Sequence, residues 1–309
     1  MIKSHALPQD HQQFVPDNTP LATGYLDLHG KIGKSMHGDV FNAVFVDGAS
    51  RLVAGATMNT KSQTPQLVKQ MVRQMQAEIK QHLGVLYTDG ATELHSKEMI
   101  KFAAKNGTEL RRPHPYSKAR FNPVVERAIR TVMEMTRALL LQAKLDQRFW
   151  VYAFHCAIFL RNRSPCATLG DKSPLQVWNP SREPDVSFLR VFGCDCWVLD
   201  EANQSRRKDE PRVVFAIFVG YDTSSACYLV WVPSTKRERR TVNVVFREDK
   251  FTRPPPTKPS FELKLPEANF MVPGSHEKRM KTQEIIRDIL NAPLLNIKGF
   301  QSPLIPRVE

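Results

Sequence analysis

Residues 84–140 read GVLYTDGATELHSKEMIKFAAKNGTELRRPHPYSKARFNPVVERAIRTVMEMTRALL. GVLYT is a short apolar run of the kind that forms a buried strand. Ser96 stands where it can cap a helix running to Asn106, and Asn106-Gly107 ends that helix. Residues 108–112 predict another strand, closed by Pro113 and Pro115. Pro123 sits where a helix begins, and residues 124–144 predict a long one. A strand–helix–strand unit followed by a long helix is a building block of a sheet covered by helices.

Working outward, residues 22–29 (ATGYLDLH), 40–47 (VFNAVFVD) and 51–59 predict three more strands, with a turn at Gly48-Ala49-Ser50 making the last two a hairpin. Leu67, Met71, Met75 and Ile79 recur at helical spacing, so residues 62–81 predict an amphipathic helix. Residues 149–163 predict another. Three strands, helix, strand, helix, strand, then helices describes a mixed α/β domain. From 188 to 249 the pattern changes to four short β-rich runs, LRVFGCDCWVL, VVFAIFVGY, CYLVWV and TVNVVF, which predict a small barrel, a module separate from the first, with Trp197 and Trp231 in its core. Residues 166–187 carry Pro174, Pro180 and Pro184 and read as a linker. Residues 251–309 hold nine of the 22 prolines and scattered charge, so they read as a Pro-rich, disordered tail, with a short helix near 282–290 as its one periodic segment.

The 309 residues carry a formal charge of +13, with a pI near 9.6. That surplus points to a polyanionic partner, nucleic acid before membrane. It is concentrated: residues 111–163 hold eleven Lys or Arg against three acids. No run of 18 apolar residues exists, so no transmembrane helix is expected, and the first residues lack the apolar core of a secretory signal. Five cysteines do not make a disulfide scaffold and fit a reducing, intracellular setting. Cys194-x-Cys196 has the wrong spacing for a zinc knuckle and reads as two strand residues.

Three acids fall at informative places. Asp27 lies in an apolar strand, where a charge is costly unless it is paired or binds a metal. Asp89 ends a strand, and α/β sheets favour ligands at the carboxyl ends of their strands. Glu126 opens the basic helix. Three carboxylates from two strands and a helix could hold two hard divalent cations about 4 Å apart, the arrangement used in phosphoryl transfer. Each acid also has a plainly structural reading. Asp27 could face water, Asp89-Gly90 is a common turn pair, and Glu126 suits a helix N-terminus or an i+4 pair with Arg130.

The words around the acids carry a resemblance. Residues 87–140, with LRVFGCDCWV, FVGYD and YLVW further on, resemble the integrase region of copia-type LTR retrotransposons, over roughly residues 21–249. The resemblance implies an RNase H-like mixed sheet with flanking helices, followed by a small SH3-like β-barrel and the Pro-rich tail. The boundaries it suggests are an N-terminal extension 1–20, catalytic core 21–165, linker 166–187, SH3-like module 188–250 and tail 251–309. It implies a DDE triad of Asp27, Asp89 and Glu126 that binds Mg²⁺ or Mn²⁺ in a two-metal site and joins a DNA 3′ end to target DNA. DNA, a homo-multimer and a nuclear site of action are implied with it, and no membrane. Arg111, Arg112, Lys118, Arg120, Arg127 and Arg130 are the candidate phosphate contacts. Asp47 matches a position outside the triad and reads as a turn acid. No zinc is expected, since His5 and His11 have no cysteine partner before Cys156. The chain departs from the family at Gly30-Lys31, Gly90-Ala91-Thr92, Leu94 and Asn122-Pro123, without losing a carboxylate. Read this way, the chain is a polyprotein fragment, a degenerate copy or a domesticated derivative. An inactive nucleic-acid-binding protein and a nuclease acting on RNA are the other readings.

Overall fold

The computed structural model describes residues 19–112, 123–181, 183–199 and 213–252. Lys118, Arg120, His114 and the helix expected near 282–290 lie outside these residues, as does nearly all of the N-terminal extension and of the tail.

Two five-stranded sheets are present. The first is built from β1 (Thr23–Gly30), β2 (Phe41–Asp47), β3 (Val53–Met58), β4 (Val85–Thr88) and β5 (Glu109–Arg111), in the order β3-β2-β1-β4-β5. The β1–β2 and β2–β3 pairs are antiparallel, and β4 and β5 join in parallel. This is the RNase H-like mixed sheet. Both faces are covered, which is why β2 reads as an almost continuous apolar run. Its Val44 and Val46 turn to one face, with Tyr25 and Val53, under α3 (Pro123–Gln142) and α4 (Trp150–Arg161). Its Ala43 and Phe45 turn to the other, with Leu26 and Met58, under α1 (Thr64–Ile79) and α2 (Lys97–Lys105). Ser96 caps α2 by accepting the Met99 N–H. Gly55 lets α4 close on β3, because a Cβ there would lie 2.5 Å from Ile158 Cδ1.

The stretch expected as a linker contains α5 (Pro174–Trp178), capped by Ser173 and preceded by a Pro-free turn at Ala167–Leu169. Trp178 is buried in the α1–α2 side of the core.

The second sheet is antiparallel throughout: β6 (Asp195–Leu199), β7 (Val213–Asp222), β8 (Cys227–Val232), β9 (Arg237–Thr241) and β10 (Val244–Arg247), in the order β10-β6-β7-β8-β9. It has five strands where the sequence predicts four. The addition is β9, RERRT, an edge strand whose charges give no apolar alternation to read and suit an unpaired edge. Cys194, Cys196, Val198, Ala216, Phe218, Val230 and Val232 form the sheet's own core. Its other face packs on α4: Phe192, Ile217, Val219 and Trp231 share one core with that helix. Phe149 meets Trp231 edge-on at 5.5 Å and Phe159 stacks on Tyr221 at 4.2 Å. Trp231 therefore belongs to the seam with α4 rather than to the sheet's inner core, and Trp197 is only half-buried, against Phe215. The helix α4 is apolar nearly all round because it is buried between two sheets.

Candidate active site

The parallel ladder between β1 and β4 ends at the pair Leu26–Thr88. One residue further on each strand come Asp27 and Asp89. One residue back, Tyr25 and Tyr87 stack at 5.2 Å. Side chains alternate along a strand, so Asp27 and Asp89 emerge on the same face as the two tyrosines. That face lies under α3, whose Val125, Ala128 and Ile129 pack in the same core as Tyr25. Glu126 is in the first turn of α3.

Asp89 and Glu126 both act on Asp27. The Asp27 carboxyl is pushed up from 3.8 to about 7, first by burial and then by the charge of Asp89; the charge of Glu126 and a side-chain hydrogen bond with Asp89 add to this. The Leu28 N–H, donating to Asp27 Oδ1 at 2.7 Å, opposes the rise. Like charges held close favour a shared proton over two ionised groups. A hard divalent cation would relieve that repulsion, and an oxygen-only donor set suits Mg²⁺ or Mn²⁺ better than zinc. The residues fit such an ion by their chemistry. Among the described residues, however, no group of three or more His, Cys, Asp or Glu is drawn close enough to hold a metal as it stands.

Asp47 is not part of this group. It is fully buried and accepts from the Leu21 N–H (2.7 Å), the Ser50 N–H (2.7 Å) and the Ser50 hydroxyl (2.6 Å), so it organises the β2–β3 turn. Arg111, expected as a phosphate contact, is engaged within the fold: its guanidinium donates to both Glu109 oxygens (2.7 and 3.0 Å) and to the Tyr87 hydroxyl (2.9 Å). Arg112 and Arg127 are exposed and Arg130 is half-buried.

One residue beside Asp89 had no signal in the sequence. His95 closes the turn that follows Asp89, with Nε2 2.9 Å from Thr88 Oγ1 and 3.3 Å from the Asp89 carbonyl. A lone histidine in a polar loop carries no pattern that would single it out.

Among the described residues no helix is long and apolar enough to cross a membrane. Residues 194–260 match the retroviral polymerase SH3-like domain family. The chain is 32% identical over 225 residues to the retrovirus-related Pol polyprotein from transposon TNT 1-94 of Nicotiana tabacum, covering 72% of this chain and 17% of that protein. It is 27% identical over 251 residues to the corresponding polyprotein from transposon RE1 of Arabidopsis thaliana, covering 81% of this chain and again 17% of the relative. The chain thus spans about a sixth of the length of these relatives. Among solved structures, the simian T-cell lymphotropic virus intasome in complex with PP2A regulatory subunit B56 gamma aligns with a TM-score of 0.44 and 14% identity, over 72% of this chain and 76% of that one. The HTLV-2 integrase catalytic core domain in complex with magnesium aligns with a TM-score of 0.41 and 16% identity, over 52% and 97%.

Proposed function

We propose that this chain, which belongs to the copia-type retrotransposon Pol family as an integrase core followed by a retroviral SH3-like domain, catalyses metal-dependent DNA strand transfer. Asp27, Asp89 and Glu126 would hold two Mg²⁺ or Mn²⁺ ions. Such ions lower the cost of forming an attacking alkoxide and stabilise the leaving oxygen. In the transfer, a DNA 3′-hydroxyl oxygen bonds to a target phosphorus, that phosphorus loses its bond to the target 3′ oxygen, and the proton of the first hydroxyl ends on the second. Asp27, with a carboxyl near 7 before metal binds, must give up its proton for the ions to enter. Arg112, Arg127 and Arg130, together with Lys118 and Arg120, would neutralise the DNA backbone in a salt-sensitive, sequence-independent way. Arg111 would serve by fixing Tyr87 beneath the acids rather than by reaching phosphate. Action as a homo-multimer on chromosomal DNA, and hence in the nucleus, belongs to the same proposal.

The observation that carries this reading is the convergence of the Asp89 and Glu126 charges on Asp27. Strand transfer of a labelled DNA end into a target, with Mg²⁺ or Mn²⁺, tests it. The expected result is activity that Asp89→Asn abolishes, and activity surviving that change would sink the assignment. A second reading is a nucleic-acid-binding derivative that kept the fold and lost catalysis. It is favoured by the missing three-ligand cage among the described residues. Mn²⁺ titration separates the two, since tight binding that needs the three acids excludes the second.

A further inference from the structure

We propose that His95 is a positioning residue that holds Asp89 in the orientation required for metal binding; this deepens, and rests on, the assignment of Asp89 to the metal site. Thr88 is the last β4 residue paired with β1, so the Asp89 carbonyl lies beyond the strand ladder and needs another donor. His95 Nε2 lies 3.3 Å from that carbonyl and 2.9 Å from Thr88 Oγ1. The carbonyl can only accept, so the imidazole must carry its proton on Nε2. The Nε2–H is then shared between the carbonyl and the threonine hydroxyl. The opposite tautomer would set a ring lone pair against the carbonyl lone pairs.

The ring is delivered by a turn that has little freedom. Leu94 beside it is fully buried against the α1–α2 side of the sheet. Ser96 after it caps α2. The same turn reaches the Asp89 side chain, since the Ala91 N–H donates to Oδ1 at 3.1 Å. One short segment, residues 91–95, therefore fixes both the backbone carbonyl and the carboxylate of Asp89, and so keeps the carboxylate turned toward Asp27. Partners that orient a metal ligand without touching the metal typically contribute about 10- to 100-fold to metal affinity.

The test is Mn²⁺ binding to the full chain, read by the electron paramagnetic resonance signal of free Mn²⁺, with no DNA and no turnover. His95→Phe, which keeps a ring and removes the donor, should weaken binding roughly 10-fold or more. His95→Gln, whose amide nitrogen stands where Nε2 does, should restore most of it. His95→Asn, whose amide is too short to reach, should not. Asp89→Asn is the reference, and should remove the site. If Asp89→Asn removes binding while His95→Phe leaves it unchanged, the clamp is wrong and the metal assignment stands. If Asp89→Asn itself changes nothing, the metal assignment is wrong. Should His95→Phe fail to fold, the Gln and Asn variants decide, and equal binding by those two overturns the proposal.

Discussion

Asp27 and Asp89 lie one residue beyond the Leu26–Thr88 pair that ends the β1–β4 ladder, and after burial it is the charge of Asp89 that most raises the Asp27 carboxyl. The carboxyl is ordinary in the unfolded chain, at 3.8, and near 7 in the fold. Between those values the folded state binds a proton that the unfolded state has released. Its contribution is therefore complete below about pH 4 and is lost as pH rises through about 7, to a full extent of roughly 4 kcal/mol. Asp27→Asn removes this slope. In urea unfolding of the chain stripped of divalent cations, the variant should gain stability over the parent between pH 4 and pH 8. Parallel curves for the two proteins would show that the Asp27 carboxyl is not raised in the fold.

Asp47 separates a structural acid from the proposed catalytic ones. Its carboxylate holds two backbone N–H groups and a hydroxyl in a site without solvent. Asp47→Ala strands those donors, and each buried unpaired group costs about 1–3 kcal/mol. The expected loss is about 3 kcal/mol in denaturant unfolding, with Mn²⁺ affinity unchanged in the protein that remains folded. Lost metal affinity in a stable Asp47→Ala protein would place this residue in the site after all.

The strands and helices of the first sheet were legible because their apolar residues obey a period, as in VFNAVFVD and in the Leu67–Ile79 series. What escaped has no period. Strand β9 is RERRT, and its place in the sheet comes from pairing with β8, not from burial of its own side chains. The seam between the sheets was hidden for a different reason: Trp231 and Ile217 read as any strand core would, and nothing local says that α4 is what covers them. The acids could be singled out only through their surrounding words, whereas Arg111 was read without its partners: Glu109 lies two residues before it on β5, and Tyr87 meets it through the β4–β5 pairing.

Tyr152 on α4 ties three elements together. Its hydroxyl donates to Glu238 Oε2 on β9 at 2.8 Å, and at 2.8 Å it faces His37 Nε2 in the loop after β1. A carboxylate only accepts, so the single phenolic proton goes to Glu238 and His37 donates. Tyr152→Phe removes both bonds, one of them to a charged group, and should cost about 1–2 kcal/mol. The effect should be local: tryptic cleavage beside β9, at Lys236 and Arg237, should quicken more than global stability falls. Unchanged cleavage there would mean that the chain of bonds does not restrain the edge strand.

The shared core also makes a claim about cooperativity. Trp231 is 8% exposed and sits with Phe149, Ile217 and Val219 against α4, which is itself packed on β3 through Phe154 and Ile158. Truncating such a residue leaves a cavity that neither sheet can close alone, and Trp→Ala changes of this kind cost about 3–5 kcal/mol. If the sheets were independent modules joined by a tether, the loss would appear only in the second one. With α4 as their common wall, Trp231→Ala should instead lower the stability of both. The measurement is hydrogen exchange of amides in β2, in the first sheet, and in β7, in the second. Both should lose protection together, by the same free energy. Loss confined to β7, with β2 as protected as before, would show that the seam is a contact between two separately stable domains.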